Sequence, residues 1–210
     1  MKLTKYEHAC FTLEVAGEVL VVDPGGYTKN FTAGDNVAAI VITHQHPDHF
    51  DTQMLTKIFS KNPNAVLVSL ASVIKAIPGH QSKAVRTGDR VEIGPFKLRF
   101  FGGKHALIDV SIALIDNLGV LINDTLYYPG DSFTLPNVPV DVLALPIGAP
   151  WPKMNEVIDF LTAIKPLLAF PTHDAVLSTV GKSLSDQMLS VTAIKIGAEY
   201  KRIDKTPIAV

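Results

Sequence analysis

A single cysteine and a single tryptophan stand in 210 residues. Cys10 has no partner in the chain, so an internal disulfide and a cysteine-rich zinc module are both excluded. An excess of charge of either sign is missing too: 19 Lys and Arg against 20 Asp and Glu leave a formal net charge of −1. With an isoelectric point near 6.6, the chain carries no electrostatic signature of a polyanion or an anionic membrane surface. A small-molecule substrate is therefore expected, with no nucleic acid and no membrane as partner, and the oligomeric state stays open. No apolar run approaches the roughly 18 residues of a transmembrane helix, and Met1–His8 lacks the apolar stretch of a signal peptide. The expectation is a soluble cytoplasmic protein. At 47% hydrophobic and 19% charged residues, the chain can bury a sizeable core and reads as a single domain over residues 1–210.

Against this sparse background one segment is dense in metal-binding side chains. His44-Gln45-His46-Pro47-Asp48-His49 follows directly on the apolar run Ala38-Ala39-Ile40-Val41-Ile42-Thr43. Composition alone would place H-x-H-x-D-H in such a chain about once in 2,000. In an extended segment residues two apart point the same way, so His44 and His46 can grip one ion. A turn after Pro47 swings Asp48 and His49 toward a second. The spacing reads as half of a two-metal hydrolytic site.

Element patterns frame it. Leu3–Tyr6, Cys10–Val15, Val19–Val22 and Ala38–Thr43 read as strands, with a hairpin turn at Ala16-Gly17-Glu18. Thr52–Phe59 has helical spacing, Ala65–Leu70 is β-like and Ser72–Ile77 is a short helix. A second β-rich stretch runs from Val91 through Phe101 and continues in Val110–Ile115, Val120–Ile122 and Leu126–Tyr128. Asp116-Asn117-Leu118-Gly119 and Asn123-Asp124 read as its turns, giving an antiparallel meander. Asp141–Ile147 and Leu167–Phe170 are strands, and Met154–Ile164 and Leu184–Ile196 are helices. Two β-rich halves, each followed by helices, predict two sheets packed face to face with helices outside, an α/β (α+β) fold.

Three further candidates emerge from strand ends. His105 follows Gly102-Gly103-Lys104, where the glycines let the backbone approach an ion. Asp131 lies in Tyr127-Tyr128-Pro129-Gly130-Asp131-Ser132, and His173 in Phe170-Pro171-Thr172-His173-Asp174. A lone loop His or Asp is usually solvated or a cap, but with the hexapeptide these complete a ligand set on a rigid scaffold.

In these residues and their order the chain resembles the metallo-β-lactamase fold superfamily. It is most similar to the branch of small metal-dependent hydrolases that includes ascorbate-6-phosphate lactonase-like proteins, through His8-Ala9-Cys10-Phe11, Val21-Val22-Asp23-Pro24, Leu145-Pro146-Ile147-Gly148 and Pro171-Thr172-His173. It departs from the branch at Met154-Asn155, where Met-Gly is frequent. The resemblance implies a four-layer αββα sandwich and two divalent ions, zinc foremost, with manganese or iron also compatible. It implies His44, His46 and His105 on the first ion, Asp48, His49 and His173 on the second, and Asp131 bridging. A metal-bound hydroxide would then attack a small ester, lactone or phosphoester, with Asp48 and Asp131 as the catalytic carboxylates.

Asp23 is expected to orient a ligand histidine from behind, with His8 facing the same cavity or packing at a strand end. Lys104, Trp151 and Lys153, near the motif-bearing loops, are candidate substrate contacts. Cys10 reads as a buried, inert thiol and His80 as an exposed turn residue. A nuclease of the same superfamily is the runner-up, weakened by the neutral charge balance. A di-iron redox enzyme and a non-enzymatic binding protein, both on the same fold, come after it. Intact His46 speaks against the redox enzyme, and the complete ligand set against the binding protein.

Overall fold

The computed structural model describes residues 1–210, arranged as two seven-stranded sheets with four helices. The first half builds β1 (Lys2–Lys5), β2 (Phe11–Val15), β3 (Glu18–Val22), β4 (Val37–Ile42), α1 (Thr52–Lys61), β5 (Val66–Ser69), α2 (Ala71–Ala76) and β6 (Ser82–Ala84). The second half builds β7 (Arg90–Ile93), β8 (Phe96–Gly102), β9 (Leu118–Ile122), β10 (Leu126–Tyr128) and β11 (Val142–Pro146). It continues with α3 (Met154–Ile164), β12 (Leu168–Thr172), α4 (Thr179–Ile196) and β13 (Glu199–Tyr200), and β14 (Ile208–Ala209) returns to pair with β1. The sheet orders are β14-β1-β2-β3-β4-β5-β6 and β13-β12-β11-β10-β9-β8-β7.

Alternation along the strands divides the apolar residues into three layers. Leu20, Val22, Ala39 and Val41 of the first sheet meet Leu98, Val120, Ile122 and Tyr128 of the second in one inter-sheet core. The intervening Val21, Ile40 and Ile42 point outward onto Leu55, Ile58 and Phe59 of α1. On the far side, Leu121, Leu143 and Leu145 pack under Val157, Phe160 and Leu161 of α3 and Leu189 of α4. The result is the expected αββα sandwich. α1 starts where Asp51 caps the backbone N–H groups of Gln53 and Met54, and α4 stops at Gly197, whose φ of 76° closes the helix end.

Two hairpins form where the turn chemistry predicts them. Ala16 (φ 51°) and Gly17 (φ 82°) join β2 to β3, and Asn123 (φ 51°) and Asp124 (φ 52°) join β9 to β10. The Val91–Phe101 stretch splits into β7 and β8 around Gly94 (φ 52°). The β8–β9 connection corrects the sequence reading. Val110–Ile115 is not a strand, because β8 and β9 pair directly, from Leu98↔Ile122 to Gly102↔Leu118, and loop the segment out. Leu118 and Gly119, expected in a turn, lie in β9. Gly119 serves close packing: a Cβ there would meet Tyr127 Oη at 2.5 Å.

The parallel strands β3 and β4 end side by side, with Val22 in register with Val41. β11 and β12 are likewise parallel. The loops leaving β3, β4, β8, β10 and β12 carry the candidate residues and meet at one edge of the sandwich, the carboxyl-end crevice where open α/β sheets place their sites.

Candidate metal centre

The hexapeptide leaves β4 through Thr43 and is clamped from the neighbouring strand. Asp23, at the end of β3, accepts the Thr43 backbone N–H at 2.8 Å and its hydroxyl at 2.6 Å. It also accepts His49 Nδ1–H at 2.7 Å. Gly25 then passes so close to the hexapeptide that a Cβ would lie 2.0 Å from the Asp48 carbonyl carbon. Only a bare backbone fits there.

The second sheet supplies its residues singly. The His105 loop is tied down by Ala106 N–H donating to Asp131 O at 2.7 Å. Asp131 is placed by Gly130 (φ 63°) and by buried Asn117, whose Oδ1 accepts Asp131 N–H at 2.9 Å. His173 sits in the left-handed region at φ 58°, and its backbone N–H donates to the His8 carbonyl at 3.1 Å. His8 (φ 56°) and Asp23 (φ 42°) share that sparsely populated conformation. Three strained residues thus converge where the strand ends meet, and such strain gathers at functional sites.

All seven candidate ligands come together. His44, His46 and His105 form one group, His44, His49 and Asp131 another, and Asp48, His49 and His173 with His8 a third, each with its ligand atoms within 4.8 Å of one another. Asp131 lies between the groups: Oδ2 is 3.3 Å from His105 Nε2 and 2.9 Å from His173 Nε2, and Oδ1 is 3.2 Å from His49 Nε2.

The hydrogen bonds behind the rings decide which nitrogens are bare. Thr43 gives its only hydroxyl proton to Asp23, so it accepts from His44 Nδ1–H at 3.0 Å. His105 Nδ1–H donates to the Ala106 carbonyl at 2.6 Å and His173 Nδ1–H to the Gly148 carbonyl at 2.5 Å. With His49 Nδ1–H on Asp23, four rings turn Nε2 inward. His44 Nε2 lies 3.1 Å from His46 Nδ1, two ring nitrogens turned to one region. The Nε2 atoms of His49, His105 and His173 and Oδ1 of Asp131 are buried without a hydrogen-bond partner. Buried polar atoms are rarely left so, and nitrogen and carboxylate donors held by partners behind them suit a divalent transition metal. The residues therefore fit metal ions.

The electrostatics agree. Burial opposes the positive charge on His49, but the Asp131 and Asp23 carboxylates pull its pKa well above the ordinary imidazole value. His173 is raised to about 9 against burial by Asp131 and Asp48. His44 is driven the other way by burial and by His49, and stays neutral. Without an ion, the carboxylates draw protons onto His49 and His173, positive charge of the kind a cation would supply, while His44 beside them stays neutral.

His8 faces the cavity as a donor. Its Nδ1 accepts Ala175 N–H at 3.3 Å, so Nε2–H donates to Asp48 Oδ2 at 2.9 Å. That tautomer has no free inward lone pair, so His8 positions Asp48 rather than joining the ligand set. Burial lowers its pKa to about 4, which keeps the ring neutral. Trp151 is buried and donates Nε1–H to Asp131 Oδ2 at 3.0 Å, holding that carboxylate. Lys104 is exposed and pairs with Asp116 at 2.6 Å. Lys153 is exposed at the start of α3, its backbone N–H donating to Glu156 at 3.0 Å. Neither lysine is brought to the cluster. Cys10 is buried, and His80 stacks on Phe59 at 3.9 Å between centroids. Thr43 and Asn117 escape a reading of the sequence: Thr43 had only adjacency to the hexapeptide as a signal, and Asn117 none.

The family description Beta-lactamase superfamily domain matches residues 2–173, and the chain belongs to that superfamily. Within it the chain belongs to the UPF0173 group: it is 30% identical over 172 residues to UPF0173 metal-dependent hydrolase BCE33L4354 of Bacillus cereus, covering 70% of this chain and 74% of that protein. It is also 37% identical over 183 residues to protein Rv0786c of Mycobacterium tuberculosis, 85% of this chain and 86% of that one. Among solved structures, Igni18, a metallo hydrolase from the archaeon Ignicoccus hospitalis, superposes with a TM-score of 0.73 at 17% identity, over 100% of this chain and 98% of that one. At that identity the likeness concerns the fold alone.

Proposed function

We propose that this chain, a metal-dependent hydrolase of its superfamily, works with two divalent ions, zinc foremost, on a small ester, lactone or phosphoester. His44, His46 and His105 would hold one ion, Asp48, His49 and His173 the other, with Asp131 between them. The observation that carries this reading is the set of buried, unpartnered nitrogens and carboxylate oxygen facing one another while every opposite ring nitrogen is engaged. Bound divalent ions supply the Lewis acidity that makes water a nucleophile at neutral pH and polarises the scissile group.

The chain's own residues do the rest. Asp48, its side chain 19% exposed against 3% for Asp131, is the carboxylate on the substrate side and takes the proton of the attacking water. His8 Nε2–H holds Asp48 in place, as Trp151 Nε1–H holds Asp131. Asp23 and Thr43 fix the rings of His49 and His44. A cytoplasmic setting belongs to the same proposal, supported by the lone cysteine; no helix is long and apolar enough to cross a membrane.

The test is a hydrolysis screen of metal-loaded and chelator-stripped protein against lactones, thioesters, phosphodiesters, β-lactams, single-stranded DNA and structured RNA. Turnover of a small ester, lactone or phosphoester, abolished by the chelator and restored by metal, is the expected result. Strongly salt-sensitive cleavage confined to the polymers would replace the reading with a nuclease.

A further inference from the structure

The loop between β8 and β9 holds apolar side chains in water beside the metal centre. Leu107 is 58% exposed, Ile112 48% and Leu114 49%. The inner side of the same loop closes on the rings of His46 and His105, with Ile108, Ile112, Leu114 and Ile115 lining a crevice of only about 10 Å³. That space holds one water at most, so the loop is seated on two of the candidate ligands. Its root is fixed by His105 N–H to Ile115 O at 3.0 Å. Its tip is fixed by Asp109, which accepts the Ser111 N–H at 2.9 Å and its hydroxyl at 2.6 Å.

An ordered loop of this composition calls for an occupant, since exposed apolar patches mark surfaces that contact something else. Charge decides against an anionic one. Lys104 and Asp116 at the loop's root neutralise each other at 2.6 Å, and the Asp109 carboxylate is spent on its own turn. What remains is hydrocarbon, continuous from the rings of His46 and His105 outward.

We propose that Leu107, Ile112 and Leu114 form an apolar lip that receives the hydrocarbon arm of an amphiphilic substrate, an alkyl or acyl chain beside the bond to be cleaved. The proposal rests on the hydrolase reading for the head group alone. The lip sets specificity: it selects by chain length, while the centre selects the bond.

The experiment uses the full metal-loaded chain and straight-chain carboxylates as non-reacting probes, titrated by methyl-detected NMR from butyrate through hexanoate to octanoate. A fully buried methylene is worth about fourfold in affinity. The lip is partly open, so octanoate is expected to bind at least ~10-fold tighter than butyrate, with shifts at the Leu107, Ile112 and Leu114 methyls. A Leu107→Asn, Leu114→Asn double variant is expected to keep its butyrate affinity and to lose the chain-length dependence; because Leu114 also lines the crevice against His46 and His105, its metal content, expected to equal that of wild type, is the control that the centre is intact. Equal affinity for butyrate and octanoate overturns the lip, as does undiminished chain-length dependence in the double variant. So does a lip occupied instead by a second copy, seen as concentration-dependent dimerisation that the double variant abolishes while octanoate shifts no lip methyl. Metal content is measured on the same samples: a chain that binds no metal fails the hydrolase reading, whereas the methyl shifts judge the lip by themselves.

Discussion

The first sheet delivers His44, His46, Asp48 and His49 from one loop after β4, whereas the second delivers His105, Asp131 and His173 from three loops after β8, β10 and β12. The two halves are also held differently. The hexapeptide is braced chiefly by one neighbour, the β3 end, through Asp23 and the bare backbone of Gly25, with His8 of the β1–β2 loop added on Asp48. Each residue of the second half has its own brace: the Ala106 carbonyl for His105, Asn117 and Trp151 for Asp131, and the Gly148 carbonyl for His173. A concentrated supply depends on one strand junction, so a single lesion there should disable four residues together. A distributed supply should fail one residue at a time.

The largest effects should come where the two halves join or where the concentrated half is braced. Asp131→Ala removes the carboxylate that faces residues of both, and is expected to lower metal content and cut kcat by at least ~100-fold in a folded protein, since changes in outer partners alone cost about 10–100-fold. Near-normal turnover with saturating metal would remove Asp131 from its bridging place. Gly25→Ala forces a methyl into the Asp48 backbone and is expected to cost about 3 kcal/mol in urea unfolding, at the upper end for overpacking. Metal affinity should fall with it. A stability change within about 0.5 kcal/mol, the ordinary scatter of surface substitutions, would show that the β3 junction does not hold the hexapeptide.

This contrast also explains what could be read from the sequence. Four ligands in six residues form a pattern that chance rarely makes, so the first half of the centre is legible as it stands. His105, Asp131 and His173 are single residues whose meaning depends on a resemblance in order along the chain. Their braces are less visible still, because a carbonyl such as that of Gly148 has no residue-type signal, and the left-handed backbone of His8 and His173 leaves none. The two sheets were legible because hydrophobic runs and turn residues agree. The assignment of Val110–Ile115 as a strand failed because β-like composition there serves an exposed loop, and β6, β13 and β14, at two or three residues each, are too short to show periodicity.

A smaller effect compares one brace from each half. Asp23→Asn keeps its shape but loses the charge behind His49, and metal affinity is expected to drop about 10–100-fold. Trp151→Phe removes the indole N–H from Asp131 together with part of the ring packed on Phe133, and should cost metal affinity about 10-fold, the low end of that range. Equal losses in isothermal titration would deny the first half its dependence on one junction.

The smallest effect concerns Lys5, whose ammonium donates to the His8 carbonyl at 2.6 Å from a buried position. Burial pulls its pKa down to about 8, only partly offset by Asp174. The unfolded chain therefore binds more protons between about pH 8 and 10.4, and stability rises with pH across that window. Wild type is expected to gain on the order of 1 kcal/mol relative to Lys5→Met between pH 8 and 9.5 in urea melts. Parallel pH profiles for the two proteins would show that Lys5 is not held in this way.

The proposed two-ion centre is tested most directly by counting metal per chain after reconstitution, in wild type and in His173→Ala. Two equivalents in wild type, falling to about one when the distributed half loses His173 while His44, His46 and His105 remain, is the result the two-ion proposal predicts. A maximum of one equivalent in wild type, unchanged in His173→Ala, would contradict it.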